Sequence, residues 1–473
     1  METITKEFVE QWVKRQMPDL VRDLIRIANI KSVAELENCS CPPYGRGCRD
    51  VLDEMLLMGK EYGFETINYD NYVGCILLNS LKEDVGIWAH LDVVEEGDGW
   101  VYEPYNAVEK DGYVIGRGVQ DNKSSAVIGL YVLRFLKEFQ IPVRQNLKLY
   151  LGTCEEQGMY DLDYFTKHYP CPNLSLVPDS GFPVCCGERG SFNGTLTSEA
   201  RFSEDVIDFY TTKISYMIPD EAVLVLADSP RIRKTLPSLP KEVAVEECSS
   251  DDRKQIRLTA KGVLKSAANP FGSKNAMQLL LTAVHDCGLL NSRDDGLFSL
   301  CRDINTHYSG TVLDISCEDE LSGPSTLACT IGELKEGHLC LTFTSQFPVT
   351  KNEVDFAGLS TAAAKRRGFQ LEVTRLRPAS YFDPDRPEIR LLTEAYNDYM
   401  GTDAKPFVMS GGTYARKLPN SFAFGTGMPL PPAPAGLFLP GHGDYHQPDE
   451  AISTERMRKA LIIYILGMLK LLQ

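Results

Sequence analysis

The sequence predicts an α/β protein built on a mostly parallel sheet and interrupted by a separate α+β insert. Three observations point there. Short apolar runs alternate with helical patterns as far as Val177, and parallel neighbours require crossovers of that kind. From about Glu188 to Pro378 the pattern turns to polar–apolar alternation with fewer long buried runs, and after about Ala379 the α/β character resumes. The 473 residues therefore divide into a main domain over 1–187 and 380–473 and an insert over 188–379. Length alone calls for two or three domains at ~100–200 residues each.

Taken in order, residues 6–29 place apolar side chains three and four apart and predict a helix, followed by the Cys/Pro/Gly-rich loop 38–47. Residues 51–62 predict a second helix. The runs 72–78, 85–89, 147–151 and 174–177 predict strands, with a helix over 123–139. In the insert, 255–259 and 338–343 alternate as strands do, and 275–287 and 353–366 suit helices. A helix near 387–400, a Pro/Gly-rich loop over 426–443 and an amphipathic C-terminal helix complete the chain.

Composition excludes several classes. With 43% hydrophobic and 24% charged residues the chain is neither disordered nor fibrous. Lys plus Arg number 49 against 65 Asp plus Glu, a net charge of −16. That argues against nucleic acid or an anionic membrane as partner, since both are bound through basic side chains. The start, Met1-Glu2-Thr3-Ile4-Thr5-Lys6-Glu7, lacks the basic and apolar regions of a secretory signal. The longest apolar run, 460–472, is broken by Lys470 and falls short of the ~20 residues that span a bilayer. Fourteen cysteines without a spacing framework point to reduced thiols and a cytoplasmic location. Cys39, Cys41 and Cys48 lack the paired spacing of a zinc site, and Cys154 reads as a buried apolar thiol.

Four polar clusters fall where predicted strands end: His90-Leu91-Asp92, Gly116-Arg117-Gly118 through Asp121, Cys154-Glu155-Glu156, and Pro178-Asp179. Each alone has an ordinary explanation. A His-x-Asp is commonly a hydrogen-bonded pair, adjacent glutamates a solvated surface, and Asp121 a helix N-cap. Strand ends along one sheet edge converge, however, and an imidazole among carboxylates is a ligand set for divalent zinc or manganese. The loop Gly441-His442-Gly443-Asp444-Tyr445-His446 adds two of the seven histidines as a source of a further ligand.

These motifs, in this order, resemble the two-zinc dipeptidase family, which includes PepV-type and Sapep-type dipeptidases, carnosinases and, more distantly, aminoacylases. The resemblance rests on His90 to Trp100, Gly116-Arg117-Gly118 with Asp121, Glu155-Glu156, Pro178-Asp179 and His446-Gln447-Pro448-Asp449-Glu450. It extends to Gly411-Gly412-Thr413-Tyr414-Ala415-Arg416, similar to the glycine-rich substrate loop of the PepV branch. It implies a zinc-exopeptidase-like catalytic domain interrupted by a lid domain. It also implies two divalent ions, zinc by default with manganese or cobalt as alternatives. Asp121 would bridge them, His90 and Asp179 would complete one site, and Glu156 and His446 the other. Asp92 would orient the His90 ring from behind, and Glu155 would be the general base. Gly411, Gly412, Thr413 and Arg416 would meet the substrate.

The insert departs from the family pattern at three substrate-facing positions. Where PepV-type lids carry asparagine, histidine and arginine, this chain has Tyr216, Ser266 and Gln346. Losing an oxyanion donor costs ~10²–10³ in rate, and glutamine lacks the charge and fork of arginine. The leading expectation is a cytoplasmic metal-dependent hydrolase of a small peptide bond, acting as monomer or homodimer. The alternatives are a hydrolase of N-acyl, N-carbamoyl or modified amino acids, and a catalytically inert metal or ligand binder.

Overall fold

In the computed structural model, which describes residues 4–250 and 253–473, the chain divides into two units. The first three residues of the N-terminal segment considered above lie outside the described residues. One unit holds the described residues up to Cys186 with Phe382–Phe407 and Gly412–Gln473; the other holds Gly187–Tyr381 and Val408–Gly411.

The sheet of the first unit runs, in spatial order, Glu65–Tyr69, Val73–Leu77, Asn146–Gly152, Asp84–His90, Leu174–Val177 and Ser421–Ala423, and beyond Ser421–Ala423 it continues antiparallel, Ala423 pairing with Cys185. The four strands from Asn146–Gly152 to Ser421–Ala423 are parallel. The first two pair antiparallel with each other and with Asn146–Gly152. The parallel order expected from sequence is thus the centre of the sheet, and its margin is a hairpin. A hairpin is necessarily antiparallel, and here it turns at Asp70 and Asn71, both in the left-handed region at φ 53 and 66.

Helix Lys6–Ala28 starts on Thr5, whose hydroxyl accepts from Phe8 N, and buries Val9, Trp12, Val13, Leu20 and Leu24. It packs with Ser124–Glu138 and Thr454–Leu472. Ser124–Glu138 is buried almost all round. A Cβ on its Gly129 would stand 2.7 Å from Leu149 Cδ1, so the glycine lets helix and strand approach closely. The C-terminal helix begins at Thr454, capped by Ser453, earlier than the apolar run suggests. Its six consecutive residues Ala460–Ile465 are all buried, so this stretch is enclosed rather than amphipathic. Sequence patterning also missed the edge strand Glu65–Tyr69 and the helix Tyr160–His168, whose apolar residues are too few to set a period.

Register positions the site. His90 pairs with Gly152, and Ile87 with Leu176. The carboxyl ends of three neighbouring strands therefore lie side by side, leading into His90, Glu155–Glu156 and Asp179. This is the edge where open α/β sheets gather ligands.

The second unit is an eight-stranded antiparallel sheet in the order Val243–Ser250, Arg253–Lys261, Glu221–Ala227, Val206–Thr211, Thr326–Lys335, His338–Phe347, Gly190–Arg201, Phe369–Arg377. Helices Ala276–Asp286, Ser292–His307 and Phe356–Arg366 contribute to one core with Phe192, Phe209, Leu224, Leu258 and Phe343. Ser292–His307 escaped the sequence pattern because its interior is rich in Asp, Arg and Ser; the Asn291 side chain starts it by accepting from Arg293 N and Asp294 N. No helix among the described residues is long and apolar enough to cross a membrane.

Candidate active site

Asp121 stands between two imidazoles. Its Oδ1 is 3.0 Å from His90 Nε2 and its Oδ2 is 3.2 Å from His446 Nε2. His90 Nε2 also lies 3.8 Å from Asp179 Oδ2, and His446 Nε2 lies 3.1 Å from Glu156 Oε1. Ligand atoms of His90, Asp121 and Glu156 fall within 4.8 Å of one another, as do those of His90, Glu155 and Asp179. The possible N-cap role of Asp121 is not what the structure shows. The following helix begins at Ser124 without a side-chain cap, leaving the carboxylate to the histidines. His446 holds its place with φ 60, a left-handed conformation uncommon for a residue with a side chain.

The electrostatics suit a cation. Burial pushes Glu155 well above the ordinary carboxylate range, with Asp179, Glu156 and Asp92 adding to the rise and His90 opposing it. Burial, then Asp121, raises Glu156 in the same way. For Asp121 burial is outweighed by its two histidine contacts, which hold it well below the usual value. Burial opposes protonation of His446, but Asp121 and Glu156 push it up to about 11. Crowded carboxylates of this kind are relieved by a divalent ion, and the mixed imidazole and carboxylate donors fit zinc or manganese. Glu155 Oε1 is buried and meets no hydrogen-bond partner.

The sequence model of peptidase family M20/M25/M40 matches residues 86–466. The chain belongs to that family. It is 28% identical over 468 residues to "Putative dipeptidase YtjP" of Bacillus subtilis, covering 96% of this chain and 97% of the relative. A Staphylococcus epidermidis protein named in the same way is 26% identical over 459 residues, covering 94% and 95%. Among solved structures, human carnosine dipeptidase 1 superposes with a TM-score of 0.57 at 15% identity, covering 99% of both chains. The di-peptidase Dug1p of Saccharomyces cerevisiae gives 0.54 at 14%, covering 98% of both. As an M20-family member the chain is a peptidase, a hydrolase of amide bonds.

In this M20-family chain the surroundings of the site are as ordered as the site. Asp92 differs in detail from its expected place behind His90. His90 Nδ1 meets the Asp92 backbone carbonyl at 3.0 Å, while the carboxylate Oδ1 is 3.6 Å away. That carboxylate instead accepts from Glu155 N and Glu156 N, both at 3.0 Å. Three residues that sequence reasoning gave no role work similarly. Glu450 Oε1 accepts from Gln120 N at 2.9 Å and Asp121 N at 3.1 Å, and its Oε2 pairs with Arg117 at 2.7 Å, both side chains 1% exposed. Asn122 Nδ2 donates to Asp179 Oδ1 at 3.1 Å. Arg117 and Glu450 lie inside the quoted motifs, which was the available signal; a buried acceptor of backbone amides leaves no other trace in sequence.

The remaining predicted residues fall in separate places. Gly411 belongs with the segment Val408–Gly411 of the second unit, and Gly412, Thr413 and Arg416 with the first. Thr413 Oγ1 accepts from Ala415 N and starts the single turn Tyr414–Arg416. A Cβ on Gly412 would stand 2.9 Å from Arg416 Nη1, so the absence of a side chain there leaves space for the guanidinium. In the second unit, Tyr216 and Ser266 are brought together on the ribbon Met217–Ile218 with Lys265–Ser266, Tyr216 being 68% exposed. Gln346 lies apart from them in the main sheet, its Nε2 donating to Ser410 O at 2.7 Å.

Proposed function

We propose that the chain is a dipeptidase that cleaves a small peptide bond with two divalent cations, zinc by default. The observation that carries this reading is Asp121, whose two carboxylate oxygens face His90 and His446 separately. Asp121 would bridge the ions, His90 and Asp179 would hold one, and Glu156 and His446 the other. Such ions polarise a scissile carbonyl and make water acidic enough to attack at neutral pH. Glu155 is the base: its unpartnered Oε1 takes the proton of the attacking water and delivers it to the leaving amine nitrogen. Burial of Glu155 favours its holding that proton between the two transfers. Asp92 fixes both glutamates through their backbone amides and steadies the His90 ring. Gly411, Gly412, Thr413, Arg416, Tyr216, Ser266 and Gln346 are the substrate contacts in this proposal. Because the Gln346 amide is engaged with Ser410 O and lacks charge, a substrate whose α-carboxylate is blocked fits this position, and the second reading is a hydrolase of N-acyl, N-carbamoyl or otherwise modified amino acids. Fourteen cysteines without a spacing framework support a reducing, cytoplasmic setting.

The test reconstitutes the full chain with zinc or manganese and offers dipeptides, β-alanyl dipeptides and N-acyl amino acids, with depletion followed by mass spectrometry. Metal-dependent loss of dipeptides is expected, and Glu155→Ala should lower it by at least ~10²-fold while still binding metal. Loss of acylated compounds alone would move the assignment to the second reading. No loss of any substrate despite bound metal would favour the inert binder.

A further inference from the structure

The strand Asn146–Gly152 ends before Glu155 and Glu156, so no sheet ladder holds the segment that carries them. Two buried carboxylates do so instead. Asp161 Oδ2 accepts from Thr153 N at 2.7 Å and Cys154 N at 2.9 Å, and Asp92 accepts from Glu155 N and Glu156 N. Four consecutive amides are thereby taken by two side chains that are each 0% exposed. Asp161 receives two more donors, Leu162 N on Oδ1 at 2.7 Å and the hydroxyl of Tyr414 on the same Oδ2 that takes the two amides. The Tyr414 ring stands edge-on to His90 at 6.4 Å and to Trp88 at 6.1 Å. Its own turn is tied down by Ser421 Oγ, which lies 2.6 Å from Ala415 O and 2.8 Å from Leu418 O. Gly152 makes the arrangement possible, because a Cβ there would fall 1.8 Å from the Tyr414 hydroxyl and 2.5 Å from Asp161 Oδ2.

We propose that Tyr414 is a positioning residue for Glu155 and Glu156, acting through Asp161 to set where the segment 153–156 lies relative to His90. The inference rests on the roles proposed above for the two glutamates. Without the hydroxyl, Asp161 loses a donor inside a site that water does not reach. Its carboxylate then shifts, and the amides of 153 and 154 shift with it.

The experiment is residue-resolved amide exchange on the full chain without added metal, comparing wild type with Tyr414→Phe, which keeps the ring packing. Exchange at 153 and 154 is expected to rise roughly tenfold while the strand Asp84–His90 stays unchanged. On a dipeptide substrate with metal restored, kcat should fall at least roughly tenfold with KM unchanged. Unchanged exchange over 153–156, or an increase spread evenly over the whole unit, would overturn the proposal. Should Tyr414→Phe not fold, Ser421→Ala releases the turn that carries Tyr414 while leaving Asp161 intact, and is judged by the same exchange pattern. If the wild type cleaves no dipeptide the functional reading fails, and the exchange data alone decide this one.

Discussion

A buried carboxylate is tolerated only where donors or cations meet it, and the site uses several such groups on its own backbone. Asp92, Asp161 and Glu450 accept amides from the segments that carry Glu155, Glu156 and Asp121. Of the three, Glu450 also meets a side-chain cation, Arg117. Arg117→Met would leave Glu450 buried without that charge, at a cost of about 3–5 kcal/mol. Urea unfolding should register this as a lower midpoint, and a change below about 1 kcal/mol would contradict the account. The same comparison explains why Asp121 was ambiguous in sequence. An aspartate ahead of a helix is a reasonable cap until the backbone around it is known, and here its backbone amide is taken by Glu450 while its side chain faces two rings.

At the scale of elements, the site depends on how closely helix Ser124–Glu138 lies against the sheet. This helix follows directly on the segment carrying Asp121 and Asn122, so a shift of the helix moves a candidate ligand. Gly129 sets the spacing against Leu149 and Ile87. Gly129→Val gains a little helix propensity but must displace packed core side chains, and overpacking of that kind costs about 1–3 kcal/mol. The expected outcome is a lower urea midpoint; an equal or higher one would show that the spacing has slack. Hairpin Glu65–Leu77 illustrates the opposite case. It forms the margin of the sheet, and its turn chemistry at Asp70 and Asn71, rather than any apolar period, decides its direction.

For the whole molecule, two cations held as proposed, one by His90, Asp121 and Asp179 and the other by Asp121, Glu156 and His446, would tie distant parts of the first unit together. A ligand that binds only the folded chain stabilises it by RT ln(1 + [L]/Kd), about 2.7 kcal/mol at a hundredfold excess over Kd. Chelation should therefore lower the melting temperature of the metal-loaded protein, and zinc or manganese should restore it. A melting temperature indifferent to both would count against ligation by these residues.

Much was legible in the sequence alone. Periodicity located the helices at 6–28, 124–138 and 387–400 and the parallel strands between them, because local spacing and burial coincide in those elements. The ordered motifs, through the resemblance they carry, named His90, Asp121, Glu155, Glu156, Asp179 and His446 as candidates, and the fold brings these side chains to one place. What only the tertiary structure decided is which acid faces which ring, and what holds each acid still. Those relations join positions such as Asp161 and Tyr414, or Asp121 and Glu450, that are hundreds of residues apart in the chain. A hydrogen bond to a backbone amide places no demand on the identity of the residue that donates it. Sequence therefore specifies the candidate groups, and the packing of the folded chain specifies their geometry.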